Sequence, residues 1–364
     1  MTVGFGELLT GAAMDYADEV RFRLTNLRVR RAHPRPVLSV ETIDSAIQRG
    51  ASFLVRHQST DGSLRGFLLL PGTSTAWITA HAAFVLEQVQ SLESLCRKAA
   101  QYLAEIGARD GGWAWNEKSR IDVDSTALAL MVLDRFNLPV DERLVEAIEA
   151  CQSESGGFPT FGPNRSGVRG LGWQAPHPEV TAVVIEMLRR LNRSRERIDR
   201  AMAWLLTQVR DGAMPSYWWE GWAYGLWILS RAQFMSEEAA TRARRILCCV
   251  RTAPDLPMVL ASAMTMRSLE HPEMASGIAR LLRAQLEDGS WRCGRTLRVT
   301  KMFEYEAATI APGRTYPDRR RTFSTAHSVA ALQLVRSILV AQSLDPASVH
   351  PWQRRGRDGA SRQH

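Results

Sequence analysis

The sequence predicts an all-α protein, an α/α toroid (α6–α6 barrel) of about six helical hairpins closed into a ring. Two patterns predict this fold. An apolar helix recurs about every 45–55 residues, as expected of a repeat architecture. Five of the six apolar helices follow an amphipathic stretch that ends in a polar, glycine-rich turn. Because helices that are apolar nearly all round are buried on several sides, we expect the apolar helices to form an inner ring and the amphipathic ones an outer ring.

The amphipathic segments carry apolar residues at three- and four-residue spacing and then reach a glycine, which is typical of a capped helix end. The turns are at 57–63, 109–113, 151–158, 208–212 and 285–291. The apolar segments are at 75–86, 125–133, 180–188, 222–229, 257–269 and 325–335. The fifth hairpin has the weakest pattern, because no Asp-Gly turn precedes Pro257.

The repeat divides the 364-residue chain into an N-terminal arm at 1–40, a barrel at 41–344 and a flexible basic tail at 345–364. The net charge of +8 suits anionic small molecules or a membrane surface. A nucleic-acid partner is not expected, since the basic residues are not interleaved with exposed aromatic residues in any RNA-binding motif. Five cysteines without a C-x-x-C spacing, and no apolar run typical of a signal or membrane span, predict a cytoplasmic protein.

Closure of the ring brings polar residues from distant parts of the chain to one place, where they could act together. All inner helices run the same way, so their N-termini meet at one mouth although they are far apart in sequence. The string DVDSTA at 122–127 lies where one inner helix begins. Asp122 and Asp124 are therefore candidates for a buried pair of carboxyls that shares and tunes one proton. The structural alternative is that one of these polar residues only caps the helix.

The glycine-rich turns at 57–64 and 285–291 resemble the QW motif of triterpene cyclases, and the DVDSTA string resembles the Asp-x-Asp-Asp acid motif of class II terpene cyclases. The resemblance to this squalene–hopene cyclase-like family implies protonation-initiated cyclisation of an isoprenoid. It also implies that Asp124 is the proton donor and Asp122 its partner. Ser125 stands in place of the third aspartate. The chain has room for one barrel only, so a homodimer, a partner chain or a site confined to one bowl would replace the family's second barrel.

Neighbouring repeats supply further candidates for supporting the acid. Superposition of the repeats puts Glu179 and Glu220 at the position of Asp124, and His177 at the position of Asp122. A carboxylate there could orient Asp124, bind a metal or simply complement the helix dipole. His177 lies between two prolines, which hold it outside the helix. It could hydrogen-bond an aspartate or be an idle histidine.

Carbocations are stabilised by aromatic faces without being captured, and such cation–π contacts contribute about 0.5–2 kcal/mol each. The candidate residues for lining the cavity lie at predicted mouth positions. They are Trp173, Trp218, Trp219, Trp222, Tyr224 and Phe323, with His327. Trp113 and Trp291 are better explained as plugs of the repeat turns. His327 could equally be a satisfied core histidine.

A diphosphate group would need fixed cations, and arginine suits forked contacts with phosphate oxygens. The candidates lie in two loops that lead to inner helices, or else are solvated loop charges. They are Arg165, Arg169, Arg319, Arg320 and Arg321. Neither a Walker loop nor an Asp-rich DDxxD string is present, which disfavours ionisation-type chemistry. We expect no required cofactor, and Mg²⁺ only if the substrate is a diphosphate.

These patterns favour a class II-type terpene cyclase of secondary metabolism that acts on a polyprenyl diphosphate or a prenylated natural product. Two alternatives stay open. The barrel could host a different lyase, isomerase or prenyl-transfer enzyme, or it could be a non-catalytic subunit that binds a lipid or a partner. An isoprenoid small molecule is the expected ligand, and peripheral contact with a membrane is left open.

Overall fold

The computed structural model of the chain describes residues 38–162, 172–210, 212, 214–231, 237–247, 250, 255–264, 272–301, 303–307 and 314–343. These residues contain twelve α-helices in six successive hairpins. The outer helices are α1 (Val40–His57), α3 (Glu93–Asp110), α5 (Glu142–Glu149), α7 (Arg195–Gln208), α9 (Glu237–Leu247) and α11 (Pro272–Ala284). The inner helices are α2 (Ala76–Leu86), α4 (Val123–Arg135), α6 (Pro178–Arg190), α8 (Ala223–Arg231), α10 (Asp255–Met264) and α12 (Thr322–Ser343).

The inner helices form a closed ring. Each packs against the next, from α2 through α12, and α12 packs back against α2. The outer helices pack on this ring from outside, for example α1 on α12 and α7 on α6. Every residue of α2 is buried, whereas α1 buries one face only. The predicted α/α toroid of six hairpins is confirmed, including the weak fifth hairpin formed by α9 and α10.

The repeated glutamines hold consecutive outer helices together. One such glutamine stands at or just after the end of an outer helical segment in three of the repeats, at Gln58, Gln152 and Gln285. The side-chain amide of each donates to two backbone carbonyls. One carbonyl belongs to the turn glycine four residues later, and the other belongs to the next outer helix. The acceptor pairs are Gly62 and Leu95, Gly156 and Arg197, and Gly289 and Ala46. The last pair joins the end of α11 to α1 and so closes the outer layer.

The tryptophans of the turns are structural plugs, as predicted. Trp291 is fully buried, and its indole N–H donates to the carbonyl of Leu281 at 2.8 Å. Trp113 donates to Leu103 in the same way, at 2.9 Å. Truncation of a buried aromatic side chain leaves both a cavity and an unpaired carbonyl.

We therefore expect Trp291→Ala to lower the free energy of unfolding by about 3–5 kcal/mol, which is the usual cost of such a truncation in a core. Chemical denaturation of the variant and the wild type measures this cost. Trp222→Ala is the control, since this indole is 40% exposed and its loss should matter little. Equal effects of the two substitutions would contradict the plug role.

Two short hairpins add to the helices. β1 (Leu68–Leu69) pairs antiparallel with β2 (Gly72–Thr73), and β3 (Arg295–Val299) pairs antiparallel with β4 (Arg314–Pro317). The β3 strand also bonds to the segment that leads into α8. The N–H of Glu220 donates to Thr296 at 2.8 Å, and the N–H of Arg298 donates to Trp218 at 2.7 Å. These bonds fix β3 beside the N-terminal end of an inner helix.

The helix α12 is long and apolar enough over Thr322–Ala341 to cross a membrane by length and composition alone. In this structure it is the sixth helix of the inner ring, and 61% of its apolar window is buried. Its Arg336 pairs with Asp44 of α1. The apolar composition of α12 is accounted for by its packing in the barrel.

Candidate active site

One structural position repeats around the mouth of the barrel. Trp77, Asp124, Glu179 and Tyr224 are the second residues of α2, α4, α6 and α8. All four line a single cavity of about 390 Å³. The corresponding residue of α12 is Phe323, which is fully buried and packs against two of the lining rings. The N-terminal ends of α2, α4, α6 and α8 thus converge on one chamber, and the start of α12 packs behind it.

The wall of the cavity is mainly apolar and aromatic. Its mouth reaches the surface at the β1–β2 turn, where Leu70 is 92% exposed. The other lining residues come from the loops before α4, α6 and α8, from the first turns of α6, and from β3 and β4. They include Trp115, Thr160, Phe161, Trp173, Trp218, Trp219, Val180, Val183, Leu297, Val299 and Tyr316. Every one of these residues belongs to the same barrel.

Asp122 and Asp124 form a hydrogen-bonded pair on this wall. Asp122 is the N-cap of α4, and its Oδ1 accepts the N–H of Ser125 at 2.7 Å. The side chain of Trp77, on the neighbouring helix α2, lies near enough to Asp124 to lower its pKa. The capping alternative is thus correct for Asp122, but capping occupies only one of its oxygens. Asp124 is free of any capping role.

Burial raises the pKa of both carboxyls above the usual range for aspartate. The charge of Asp124 raises the pKa of Asp122 further. Because two carboxylates close together in an apolar wall disfavour each other's ionisation, the pair is suited to holding one proton. The nearby Trp77 side chain lowers the pKa of Asp124 and so favours release of a proton from that side.

Glu179 is a third carboxyl in the same cavity. It is 3% exposed, and its Oε1 accepts the N–H of Trp218 at 2.6 Å. Its Oε2 is buried and has no hydrogen-bond partner among the described residues. Burial raises the pKa of Glu179 to about 7, the neighbouring backbone N–H groups oppose this rise, and the charge of Asp124 adds to it.

His177 caps the start of α6 but does not contact an aspartate. It is fully buried and stacks on Tyr217 with ring centroids 3.8 Å apart. Its Nε2 lies 2.9 Å from the carbonyl of Gly172, so this nitrogen carries the hydrogen. Its Nδ1 then accepts from the hydroxyl of Thr160 at 2.8 Å, and that hydroxyl accepts from the indole of Trp218 at 2.8 Å. Burial lowers the pKa of His177 to about 3 and keeps it neutral.

The aromatic wall is a continuous stack. Trp219 lies against Tyr224 and Phe323, with ring centroids 4.3 Å and 4.9 Å apart. Trp77 stacks on Trp115 at 5.4 Å. Because Trp77, Trp219 and Tyr224 line the cavity beside Asp124, aromatic faces are available where a cation would form.

Two predicted site residues, Glu220 and Trp222, lie beside the start of α8 and outside the cavity. Glu220 does not occupy the position of Asp124, because α8 begins three residues later, after a turn in which Gly221 has a φ of 74°. Trp222 is exposed and stacks under Arg242. Neither residue lines the cavity, and Tyr224 takes the expected place of Glu220.

Phe323 and His327 are also absent from the cavity lining, so the prediction that they face it is wrong. Phe323 packs behind Trp219. His327 is buried, and its Nε2 lies 3.0 Å from Nε2 of His81. Burial lowers the pKa of His327 well below its usual value, so it is the satisfied core histidine of the two alternatives.

The predicted cations do not meet at the cavity either. Arg165 and Arg169 lie outside the described residues. Arg319 is exposed, whereas Arg320 and Arg321 are buried, and Arg321 pairs with Asp288 at 3.0 Å and lies over a core phenylalanine. None of the last three lines the cavity.

The cations that line the cavity are Arg120 and Arg298, which the sequence did not reveal. Arg298 is 7% exposed and is fixed by donating to the carbonyls of Ser216 and Tyr217 at 2.5 Å and 3.2 Å. A carboxylate oxygen of Glu220 lies 3.8 Å from it. Trp77 was missed as well, although the repeat register alone would have placed it level with Asp124.

No protein-family model matches the chain. In sequence it is similar to the squalene–hopene cyclase of Bradyrhizobium diazoefficiens, at 24% identity over 50% of the chain and 36% of that protein. It is similar to the squalene–hopene cyclase of Schizosaccharomyces japonicus at 30% identity over 32% of the chain and 21% of that protein. The chain thus spans about a third or less of the length of these relatives in the matched region.

In structure the chain is similar to the type II terpene cyclase MstE from Scytonema. The TM-score is 0.71 at 20% identity, over 83% of this chain and 100% of that one. MstE has also been solved with geranylgeranyl dihydroxybenzoate as substrate, where the TM-score is 0.68. A protein from Actinoplanes superposes with a TM-score of 0.64 at 24% identity, over 80% and 99% of the two chains. The chain therefore has the α/α-toroid fold of MstE and, over half its length, sequence similarity to a squalene–hopene cyclase.

Proposed function

We propose that the chain is a class II-type terpene cyclase that starts cyclisation of a prenyl chain by protonating it from the Asp122–Asp124 pair. One observation carries this proposal. A coupled pair of buried aspartates with raised pKa values lies on the wall of a cavity lined by stacked aromatic rings. Perturbed carboxyls in an apolar pocket are typical of acid catalysis, and a structural capping role needs only one of them.

In the proposed first step, the proton held by the pair passes from Asp124 to the terminal alkene of the prenyl chain. The π electrons form the new C–H bond, and the adjacent carbon becomes a tertiary cation. The pair is left as two carboxylates, and both the nearby cation and the Trp77 side chain favour this charged state. Successive alkenes then attack the cation, and each ring closure moves the positive charge along the chain.

The aromatic wall supports the second step. Trp77, Trp219 and Tyr224 present apolar ring surface that stabilises a cation by about 0.5–2 kcal/mol each without bonding to it. Because the wall is mainly apolar, it also limits the access of water, which would otherwise capture the cation early.

The substrate class follows from the size and charge of the cavity. A volume of about 390 Å³ lies at the lower end of the roughly 300–1,000 Å³ typical of small-molecule sites, which favours a chain shorter than squalene. Arg298 and Arg120 offer a cationic side for an anionic or polar head group. We favour a prenylated aromatic or carboxylated natural product over a diphosphate, in keeping with the likeness to MstE. Mg²⁺ would be needed only with a diphosphate.

The test is a substrate panel. The purified chain is incubated with geranyl, farnesyl and geranylgeranyl diphosphates, with squalene and with geranyl-, farnesyl- and geranylgeranyl-substituted dihydroxybenzoates. Products are separated and identified by mass spectrometry. We expect cyclised isomers from at least one substrate and no release of diphosphate. Recovery of every compound unchanged, or ionisation of a diphosphate, would contradict the proposal.

The pH dependence of turnover is a further expected result. The reactive state is the pair with one proton bound, and burial and mutual repulsion raise the pKa of that proton. Activity should therefore be fully present on the acidic side and fall as the pH rises through the raised apparent pKa of the pair. A pH–rate profile with a substrate found in the panel measures this. Activity that instead rises with pH through the same range would mean that the pair acts as a base.

A further inference from the structure

We infer that Glu179 is the base that ends the reaction, taking a proton from the last carbocation through its Oε2 atom. This inference rests on the proposed cyclase function. A cyclisation that begins by adding a proton and yields an isomer must end by losing one. The acid pair and Glu179 lie in the same cavity, so one chamber contains a donor and an acceptor.

The position of Glu179 fits an acceptor at a distance from the donor. Glu179 and Asp124 are the second residues of α6 and α4, which are adjacent helices of the inner ring. Packed helices lie about 8–10 Å apart, so the two side chains start from neighbouring stretches of the wall, and the charge of Asp124 still raises the pKa of Glu179. Since ring closure moves the cation away from the carbon first protonated, the final acceptor has to be displaced from the acid.

The two oxygens of Glu179 have different environments. Oε1 is anchored by the N–H of Trp218, and the N–H of Tyr217 also contributes. Oε2 is buried and has no hydrogen-bond partner among the described residues, although the residue is 3% exposed. A buried, unpaired carboxylate oxygen is costly to a fold, and in a residue that lines the cavity it is explained if the ligand supplies the partner.

The electrostatic environment of Glu179 favours a role as a base rather than as a second acid. The backbone N–H groups that bind Oε1 stabilise the charged form of Glu179, whereas Asp122 and Asp124 share a proton through their own hydrogen bond. Glu179 also has a pKa near 7, in the range of an effective general base at neutral pH. A carbocation in the cavity would favour the ionised form further.

The proposed step is balanced. Glu179 Oε2 binds a hydrogen on the carbon next to the cationic centre, and the electrons of that C–H bond become the new C=C bond. Glu179 becomes a neutral carboxylic acid, and the product is an isomer of the substrate. After release of the product, Glu179 returns its proton to water and the aspartate pair takes one from water, so that no proton is gained or lost overall.

Glu179→Gln tests the inference. The amide oxygen still accepts the N–H of Trp218, so the loop before α8 should hold its place, but the base is gone. We expect substrate consumption to stay within about threefold of the wild type. The fraction of the wild-type alkene should fall by at least tenfold in favour of alcohols or isomeric alkenes, because positioned bases contribute about 10²–10⁴-fold.

Glu186→Gln is the matched control, since it lies on the same helix α6, pairs with Arg190 and is outside the cavity. It should leave the products unchanged. Glu179→Asp keeps a carboxyl one methylene shorter and should retain the wild-type alkene as a reduced but detectable fraction. If Glu179→Gln proves unstable in thermal melting, the product distribution of Glu179→Asp tests the role of Glu179 in its place.

The two possible failures are distinguishable. If the wild type converts no substrate, the proposed function fails. If the wild type is active and Glu179→Gln makes the same products in the same proportions, the inference about Glu179 is overturned while the cyclase proposal stands. Complete loss of consumption in a folded Glu179→Gln variant would likewise overturn it, because the residue would then act before the cation forms.

Discussion

Asp124→Asn is expected to lower turnover by about 10³-fold or more while leaving the barrel intact. General-acid catalysis contributes roughly 10²–10⁴-fold, and an amide cannot supply the proton. The fold should persist because the N-cap of α4 is Asp122, whose Oδ1 accepts the N–H of Ser125, and not Asp124. The measurement compares initial rates of product formation with the thermal melting of the same preparation.

The control for this variant is Asp141→Asn. Asp141 is also near a helix start, as the N-cap of α5, but it lies on the exposed outer layer and pairs with Arg143. Asparagine caps a helix about as well as aspartate, so this substitution should change neither stability nor rate. If Asp124→Asn retained the wild-type rate and product, Asp124 would be removed from the mechanism.

Asp122→Asn is expected to lower turnover at neutral pH by about 10²-fold and to restore part of it at lower pH. Loss of the partner carboxylate removes the repulsion that makes the pair hold its proton, and the new amide can donate to Asp124. The pKa that governs activity should therefore fall, and the pH–rate profile should move to the acidic side. An unchanged profile would show that Asp122 does not tune the acid.

The capping role of Asp122 is separable from its electrostatic role. Asn at this position still accepts the N–H of Ser125, whereas Ala cannot. Asp122→Ala should therefore be less stable than Asp122→Asn by about 1 kcal/mol, the usual value of an N-cap. Denaturant unfolding of the two variants measures the difference. Equal stability would mean that the cap contributes nothing.

Much of this site was predictable because it depends on a repeated register. The inner helices recur in sequence, and a closed ring brings their N-termini together, so the sequence alone predicts that Asp122, Asp124 and Glu179 lie at one mouth. The same register predicts that Trp113 and Trp291 are structural plugs of their turns. In each case the local pattern and the global symmetry require the same position.

The predictions were wrong where a loop changes length. Glu220 and Trp222 lie next to the start of α8, but the turn at Gly221 delays that helix until Ala223, and Tyr224 rather than Glu220 reaches the cavity. A one-turn error of this kind moves a side chain from the chamber to the surface. Short helix starts without a clear capping residue are where such errors arise.

Some residues reach the site only through contacts between distant parts of the chain, and these could not be predicted from the sequence. Arg298 reaches the cavity because β3 pairs both with β4 and with the segment before α8, which lies about 80 residues earlier in the chain. Thr160 connects His177 to Trp218 through one hydroxyl. Neither Arg298 nor Thr160 belongs to a recognisable motif. The run of arginines at 319–321 is a more conspicuous pattern in the sequence than Arg298, although none of the three lines the cavity.

The most direct test of the central claim is turnover in D₂O, with the substrate found in the panel. The shared proton of Asp122 and Asp124 exchanges with solvent between turnovers, so the wild type should place one non-exchangeable deuterium on the carbon at the start of the cyclised chain. Mass spectrometry and NMR of the product locate it. Cyclised product without deuterium at that carbon would show that the reaction begins in another way and would contradict the account.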